Sequence, residues 1–108
     1  MSKAKKKPQT VTPKQGQYLR GLGHHLSPLA MVGHGGIDDQ LVTAVEDVLT
    51  AHELIKIKLQ SNCPLDRKEV AAVLSTKTRA ATIQILGKTI LLYRENKDKK
   101  GDKKITLP

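Results

Sequence analysis

Hydrophobic residues along the chain recur with two different periods, and the two periods alternate. Spacings of three and four residues are typical of helices, whereas alternation of apolar and polar residues is typical of strands. These patterns predict helices over about residues 13–22, 38–52 and 67–76, and strands over about residues 29–32, 54–59, 82–86 and 89–93. The order α-β-α-β-α-β-β predicts a compact single α/β domain on a small mixed four-stranded sheet, because helical crossovers favour parallel pairing and a final hairpin adds an antiparallel strand.

Capping residues mark the ends of the predicted helices. Thr12, which is followed by proline, is the predicted N-cap of the first helix, and Gly23 is its predicted C′ stop. Asp38 is the predicted N-cap of the second helix, and Asp66 begins a capping box that Glu69 completes in the third. The predicted apolar faces consist of Tyr18, Leu19 and Leu22 in the first helix, Leu41, Val42, Val45, Val48, Leu49 and His52 in the second, and Val70, Val73 and Leu74 in the third.

The strand patterns differ in how much of each strand should be buried. Residues 29–32 are continuously apolar, which predicts a short buried strand. Lys56 and Lys58 alternate with apolar residues, which predicts a strand with one wet and positive face, although two solvated lysines on a sheet face are also common. The pair Gly87-Lys88 separates two apolar runs and predicts a two-residue hairpin turn, and residues 105–107 suit a short edge strand.

Three glycines fall within four residues between the first predicted strand and the second predicted helix. The segment Gly33-His34-Gly35-Gly36 has the spacing Gly-x-x-Gly, which KH domains use to clamp a single-stranded nucleic-acid backbone. A helix that starts after such a loop also directs free N–H groups toward an anion. The segment is equally consistent with an ordinary strand-to-helix turn, and His34 either contacts a base or phosphate or is simply an exposed loop histidine. Because the chain has no Phe or Trp and two Tyr residues, an RNA ligand would be held by its backbone or its shape.

The positive charge of the chain is concentrated at its two ends. Residues 1–14 contain five lysines and no acid, and residues 94–108 contain six basic residues and three acids, out of 19 basic and 10 acidic residues in all. The segment between them is nearly neutral, with 8 basic and 7 acidic residues. Basic arms predict a polyanionic partner such as nucleic acid, although a lysine-rich end can also serve only solubility. We predict a disordered basic arm over residues 1–11, a folded domain over residues 12–94 and a charged tail over residues 95–108.

Several kinds of chemistry lack the residues that they would need. The segment Gly87-Lys88-Thr89 resembles the end of a Walker A loop, but Thr82 stands where the earlier glycine is required. Cys63 is the single cysteine, and neither a pair of metal ligands nor a nucleophile–histidine pair is evident. No apolar run reaches the length of about 18 residues that crosses a membrane, and the basic N-terminus lacks an apolar signal core. We therefore expect a monomeric cytoplasmic protein that is not an enzyme and uses no cofactor, metal, membrane or small-molecule substrate.

Six stretches of the chain, taken in order and without large gaps, match one known family. They lie at residues 19–24, 28, 32–36, 52–58, 66–68 and 83–94. Together they resemble the CRM domain (chloroplast RNA splicing and ribosome maturation) in its stand-alone bacterial YhbY form. The helix-to-strand segment at residues 52–58 and the hairpin at residues 87–94 carry the resemblance more specifically than the glycine loop does.

The resemblance implies an RNA-binding domain whose fold is similar to the C-terminal domain of translation initiation factor three. It also implies association with ribosomal RNA in precursors of the large ribosomal subunit. In that family the glycine loop contacts RNA, and basic residues around it extend the surface. The RNA-binding residues expected here are Gly33, His34, Gly35, Gly36, Lys14, Arg20, Lys56, Lys58, Lys88 and Arg94.

Two questions stay open at the level of sequence. The alternation does not say whether Lys56 and Lys58 share a face with the glycine loop, and a protein-interaction module that reaches the ribosome through a protein partner remains an alternative function. The chain also departs from the family at Arg79, where members often carry glycine after the third helix. Arg79 must therefore adopt a positive φ or end the helix differently.

Overall fold

Three helices pack on the two faces of a four-stranded sheet, in the α-β-α-β-α-β-β order that the sequence predicts. The computed structural model describes residues 9–99 and 104–108, so residues 1–8 of the predicted arm over residues 1–11 and residues 100–103 of the predicted tail lie outside the described residues. The elements are α1 (Pro13–Gly23), β1 (Ala30–Val32), α2 (Asp39–His52), β2 (Leu54–Leu59), α3 (Arg67–Thr78), β3 (Ala81–Leu86) and β4 (Thr89–Tyr93).

The predicted N-caps are confirmed at all three helices. Thr12 Oγ1 accepts a hydrogen bond from Gln15 N at 3.1 Å, and Gln15 Oε1 accepts one from Thr12 N at 3.0 Å, which completes a capping box. Asp38 Oδ1 accepts from an N–H of the first turn of α2 at 2.8 Å. Asp66 forms the predicted capping box with Glu69. Each cap supplies an acceptor to helix N–H groups that have no partner within the helix.

The sheet is mixed, as predicted, and its strand order is β1-β2-β4-β3. β1 runs parallel to β2, and β4 pairs antiparallel with both β2 and β3. The second strand of the hairpin therefore lies between β2 and the first strand of the hairpin. This order places the C-terminal ends of β1 and β2 and the β3–β4 turn at one edge of the sheet, and the start of β2 and the end of β4 at the opposite edge.

The larger core lies between the sheet and the helices α2 and α3. It consists of Val32, Val45, Leu49, Ile55, Ile57, Leu59, Val70, Ala71, Leu74, Ala80, Ile90 and Leu92. The alternation predicted for β2 is confirmed, because its isoleucines point into this core and its lysines point to the other face. The predicted apolar face of α2 extends one residue too far, since His52 is exposed at the end of the helix.

Helix α1 packs on the other face of the sheet through a different stripe from the predicted one. It buries Gly16, Leu19 and Gly23, whereas Tyr18 and Leu22 of the predicted stripe are exposed. Gly23 brings the end of the helix close to Leu91 of β4, whereas Gly16 faces Val11 and the Arg20 side chain. The strand residues beneath the helix are Leu54, Leu91 and Tyr93.

Gly23 is the last residue of α1 and not the predicted C′ stop. The following residue, His24, caps the helix with a right-handed φ of −55°, so no left-handed residue ends it. A Cβ atom on Gly23 would lie 2.6 Å from both methyl carbons of Leu91. Glycine is therefore required here by the close approach of the helix to the sheet and not by a turn.

β1 is an edge strand with one open face, and the prediction of a fully buried strand is wrong. Val32 is completely buried, but Met31 is 56% exposed, and Leu29 just before the strand is 47% exposed. Side chains alternate between the two faces of a strand, and on its side of the sheet α1 packs mainly on β2, β3 and β4. The apolar run is therefore half core and half surface.

The predicted edge strand at residues 105–107 is also wrong, because residues 104–108 contain no strand. Ile105 and Leu107 instead pack against the cluster beneath α1. Gln15 Nε2 at the start of α1 donates to Pro108 O at 3.4 Å. The end of the chain thus packs on the α1 side of the sheet without adding to it.

A buried carboxylate holds this returning segment. Glu53 follows α2 with a positive φ of 65° and is fully buried. Its Oε1 accepts from Ile105 N at 2.8 Å, and its Oε2 accepts from Asn96 N at 2.7 Å and from Lys104 Nζ at 3.3 Å. Burial alone would raise the pKa of Glu53, but these donors outweigh burial and hold the pKa below its ordinary value.

Arg79 adopts the positive φ that its position after α3 demands. Its φ of 60° lies in the left-handed region, which costs about 1 kcal/mol for a residue with a side chain. The Arg79 carbonyl accepts a hydrogen bond from Gln9 N at 3.0 Å. Arg79 therefore adopts the backbone conformation expected of glycine at this position, and the chain passes directly from α3 into β3.

Gly23→Ala is expected to lower the free energy of unfolding by about 1–2 kcal/mol, because the new methyl group must displace the buried Leu91 side chain. Gly21→Ala is the matched control in the same helix. It adds a Cβ atom that meets nothing within 4 Å, and it should stabilise the protein by up to about 1 kcal/mol through helix propensity. Urea denaturation of both variants measures the difference, and a neutral Gly23→Ala would contradict the close-packing explanation.

Glu53→Gln is expected to lower the free energy of unfolding by about 1.5–3 kcal/mol at neutral pH, because a charged acceptor of three donors is lost. Since the folded pKa lies below the ordinary 4.5, the Glu53 contribution is complete above that pH and is lost as the pH falls through the folded pKa. The stability difference between variant and wild type should therefore shrink in acid. Urea titrations at several pH values measure it. Glu95→Gln, which removes only an exposed partner of Lys104, should cost less than about 1 kcal/mol.

Candidate functional site

Three loops meet at the edge of the sheet where β1 and β2 end, which we call the loop end. They are the glycine loop (residues 33–36), the β2–α3 loop (residues 60–65) and the hairpin turn (residues 87–88). Gln60 N donates to Val32 O at 2.8 Å, which joins the first two loops. Leu59 N donates to Lys88 O at 2.7 Å, which joins the third. The parallel pairing of β1 and β2 thus builds one continuous surface from segments that are far apart in sequence.

The glycines of the glycine loop have different structural roles. Gly36 has a positive φ of 65° and donates its N–H to Gly33 O at 3.0 Å, which closes a tight turn. A Cβ atom on Gly33 would lie 2.4 Å from Gln60 Oε1, so Gly33 lets the neighbouring loop approach. A Cβ atom on Gly35 would meet nothing within 4 Å, and its φ is not positive. Gly35 is therefore the glycine that the fold itself does not require, and it faces open space.

The free hydrogen-bond donors of this loop are its own N–H groups. Across residues 9–99 and 104–108, the structure gives no acceptor to the N–H of His34 or of Gly35. The start of α2 is less available to an anion than its position suggests, because the Asp38 carboxylate already caps it and Asp39 adds a second negative charge. An anion would therefore meet the tip of the loop and not the end of the helix.

Lys58 lies next to β1 on the α1 side of the sheet, and Lys88 lies in the hairpin turn. Both line a groove with Met31, Gln60 and Asn62, and no carboxylate lines that groove. Lys56 lies two residues earlier on the same face of β2, in a smaller groove beside the end of α1. The two β2 lysines therefore do share a face with each other, and Lys58 is the one adjacent to the loop end.

The remaining predicted basic residues lie elsewhere. Lys14 is exposed in the first turn of α1, near the edge opposite the loop end. The Arg20 guanidinium folds back along α1, since a Cβ atom on Gly16 would lie 3.5 Å from Arg20 Nη1. Arg94 pairs with Glu46 and donates to Thr78 O at 2.8 Å and to Thr50 Oγ1 at 3.1 Å. The guanidinium of Arg94 thus connects α2, the end of α3 and β4.

The β2–α3 loop and the start of α3 add residues that the sequence analysis did not select. Arg67 Nη1 donates to Gly87 O at 2.9 Å and fixes the hairpin turn against α3. Arg67 and Lys68 line a second groove with Lys88, above a floor that includes Leu59 and Leu65. The sequence feature that could have identified Arg67 and Lys68 is the predicted parallel crossover, because the loops that follow two parallel strands emerge side by side.

The carboxylate of Asp66, which lines this second groove, already accepts hydrogen bonds within the protein. Asp66 Oδ1 accepts from Lys68 N at 2.6 Å and from Glu69 N at 3.3 Å. These backbone hydrogen bonds lower the pKa of Asp66, so the group stays ionised as the cap of α3. Among the residues that line the two grooves of the loop end, Asp66 is the one carboxylate, beside Lys58, Arg67, Lys68 and Lys88.

Within the described part of the chain, no three His, Cys, Asp or Glu side chains lie close enough together to hold a metal ion. Cys63 is half-buried and donates to Leu65 O at 3.3 Å. His24 and His25 contact each other edge to face, with ring centroids 5.1 Å apart. No helix among residues 9–99 and 104–108 has the length and apolar character needed to cross a bilayer.

Comparison with known proteins places this arrangement in a family. A family model described as the CRS1 / YhbY (CRM) domain matches residues 11–94. "Probable RNA-binding protein YqeI" of Bacillus subtilis is 40% identical over 98 residues, which cover 91% of this chain and 99% of that protein. An "RNA-binding protein" of Haemophilus influenzae is 34% identical over 91 residues, which cover 84% of this chain and 92% of that protein.

A solved structure shares the fold. The solution structure of a hypothetical protein from Staphylococcus aureus, described there as proposed to bind RNA, superimposes with a TM-score of 0.75 at 39% sequence identity. The match covers 92% of this chain and all of the other. The two proteins therefore share the same fold.

Proposed function

The chain belongs to the CRS1 / YhbY (CRM) domain family, and from this membership we propose that it is a non-catalytic RNA-binding protein that binds ribosomal RNA during assembly of the large ribosomal subunit. Two relatives that match most of the chain are named as RNA-binding proteins, which supports RNA as the partner. The ribosomal target follows from the family resemblance. On this proposal the protein acts as a monomer in the cytoplasm.

The observation that carries the proposal is the convergence at the loop end. The free N–H groups of His34 and Gly35 lie at the tip of an exposed loop, and Lys58 and Lys88 line the neighbouring groove without a carboxylate among them. Backbone N–H groups and lysines are the donors that hold phosphates, and phosphate contacts position a nucleic acid without selecting its sequence. The proposed RNA backbone therefore runs along the glycine loop, with Lys56 further along the same face.

A protein-interaction module that reaches the ribosome through a protein partner is the second candidate. The observation that favours it is the outer face of α1, where Tyr18 is 43% exposed and Leu22 is 39% exposed. These two side chains lie one helical turn apart on the exposed face of the helix. Such a module would bind the ribosome through its protein partner and would not bind ribosomal RNA directly.

The proposed function is tested by sedimentation of a cell lysate on a sucrose gradient at moderate salt, followed by detection of the protein in each fraction. We expect the protein to migrate with precursors of the large ribosomal subunit. The purified protein should then bind protein-free ribosomal RNA from those fractions, with an affinity that falls as salt rises. Migration at the top of the gradient would contradict the ribosomal role. Migration with precursors but no binding to purified RNA would favour the protein-interaction module.

Gly35→Asp is expected to weaken RNA binding roughly tenfold without unfolding the domain, because it places a carboxylate where a phosphate would lie. Gly35→Ala is the steric control and should bind like the wild type, since its Cβ atom meets nothing within 4 Å. Gly21→Asp makes the same change of charge on the exposed side of α1 and controls for net charge. Fluorescence anisotropy with labelled RNA measures all three. An unchanged affinity in folded Gly35→Asp would remove the loop from the proposed interface.

A further inference from the structure

One transverse row of side chains on the sheet is left uncovered, and we call it the open row. Met31 of β1 pairs with Lys58 of β2, Lys58 pairs with Thr89 of β4, and Thr89 pairs with Leu86 of β3. Directly paired residues point to the same face, so these four side chains stand side by side. At ordinary strand spacing the row is about 14 Å wide. It crosses the whole sheet next to the loop end.

The row is open because α1 ends before reaching it. The helix stops at Gly23, which lies directly against Leu91, one row further from the loop end. In that second row Leu91 is buried, but its neighbours Lys56 and Gln84 are only half-buried, so the helix covers this row in part. The next row, which contains Leu54, is buried by the helix. The helix therefore covers the row of Leu54 fully and the row of Leu91 in part, and it does not cover the open row.

The composition of the row is unusual for a solvent-facing surface. Leu86 is 66% exposed and Met31 is 56% exposed, and they are the two most exposed large apolar side chains in the described part of the chain. They flank a lysine, and the grooves that border the row contain Lys56, Lys58 and Lys88 but no carboxylate. An acidic protein surface would satisfy the lysines, but it would not account for the neighbouring free N–H groups of the glycine loop. A ligand that is apolar on one side and anionic on the other fits all of these features.

We propose that the open row binds the unpaired bases of single-stranded RNA whose phosphates are held at the glycine loop. This inference rests on the proposed function and names the kind of RNA that the same site would take. The bases would lie against Met31 and Leu86, and Lys58 between them would contact the phosphate backbone. Bases inside a duplex are paired and stacked and cannot present their faces to a sheet, so the row would select single strands.

The row supplies base contacts without aromatic side chains. The chain has two tyrosines, of which Tyr93 is buried and Tyr18 lies on α1. A thioether makes favourable contacts with aromatic rings, and Met31 places a thioether in the open row. Gln60 Nε2 lies 3.6 Å from Met31 Sδ, which brings an exposed amide beside the thioether. Amide groups can hydrogen-bond the edges of unpaired bases, so Gln60 is placed to contact the edge of a base that rests on Met31.

The test compares three probes by fluorescence anisotropy: a labelled single-stranded RNA of about 12 nucleotides, an abasic strand of the same length, and the duplex formed with the complement. The wild type should bind the single strand several-fold more tightly than either of the other two. Met31→Ala and Leu86→Ala should each weaken binding to the single strand about threefold to tenfold and leave binding to the abasic strand unchanged. Lys58→Gln should instead weaken binding to both strands by a similar factor.

Leu22→Ala is the matched control, because it removes an exposed leucine that lies on α1 and not on the sheet. It should bind every probe like the wild type. Because Met31 and Leu86 are exposed, their variants should keep the urea midpoint of the wild type, which verifies that they are folded.

The possible failures are distinguishable. If the wild type binds RNA but Met31→Ala and Leu86→Ala bind the single strand unchanged, or lose equal affinity for the abasic strand, the open row does not bind bases and the proposed function stands. Equal binding of duplex and single strand, or an equal loss in Leu22→Ala, would overturn the inference in the same way. If the wild type binds neither the single strand nor the abasic strand at low salt, the proposed function fails and the inference fails with it.

Discussion

The parallel pairing of β1 with β2 is the constraint on which the rest of the structure depends. Because α2 must return across the sheet to connect them, the two strands end at the same edge and their loops leave it side by side. The hydrogen bond from Gln60 N to Val32 O continues the ladder beyond the end of β2 and ties the β2–α3 loop to the end of β1. β4 then runs antiparallel to β2, which brings the hairpin turn to the same edge. A short glycine segment thereby becomes one wall of a basic surface that no single segment could form.

The two edges of the sheet use charge in different ways. At the edge opposite the loop end, Glu53 is buried among three donors and Arg94 is paired with Glu46, so the charges there hold the ends of α2, α3 and the returning tail in place. At the loop end, Lys58 and Lys88 face outward without a carboxylate in their groove. Most of the acids in the folded part of the chain therefore serve helix caps or internal pairs, whereas Lys58 and Lys88 line a groove that contains no carboxylate.

Local interactions were predictable from sequence, whereas contacts between distant segments were not. Thr12 and Asp66 cap their helices as expected because a cap depends on residues two or three positions away. Arg79 adopts a positive φ for an equally local reason. Gly23 was assigned to a turn because its actual neighbour, Leu91, is far away in sequence. The same limit applies to the candidate site. Its glycine loop is contiguous and was recognised, but its second wall, from Gln60 to Lys68, comes from another loop that only the strand pairing places there.

The length of α1 links the packing of the fold to the proposed binding surface. Burying an exposed leucine or methionine typically stabilises a protein by about 1.5–3 kcal/mol, and a longer α1 would extend beyond Leu91 toward the row that contains Thr89 and Leu86. The fold forgoes that stabilisation, because α1 stops at Gly23 and leaves Leu86 and Met31, the two most exposed large apolar side chains among the described residues, in a single row. Tight packing at Leu91 shows that the helix and sheet fit closely up to this point, so loose packing is not the reason. The burial that folding leaves unused is available to a ligand, and the lysines between and beside these side chains indicate that the ligand carries negative charge.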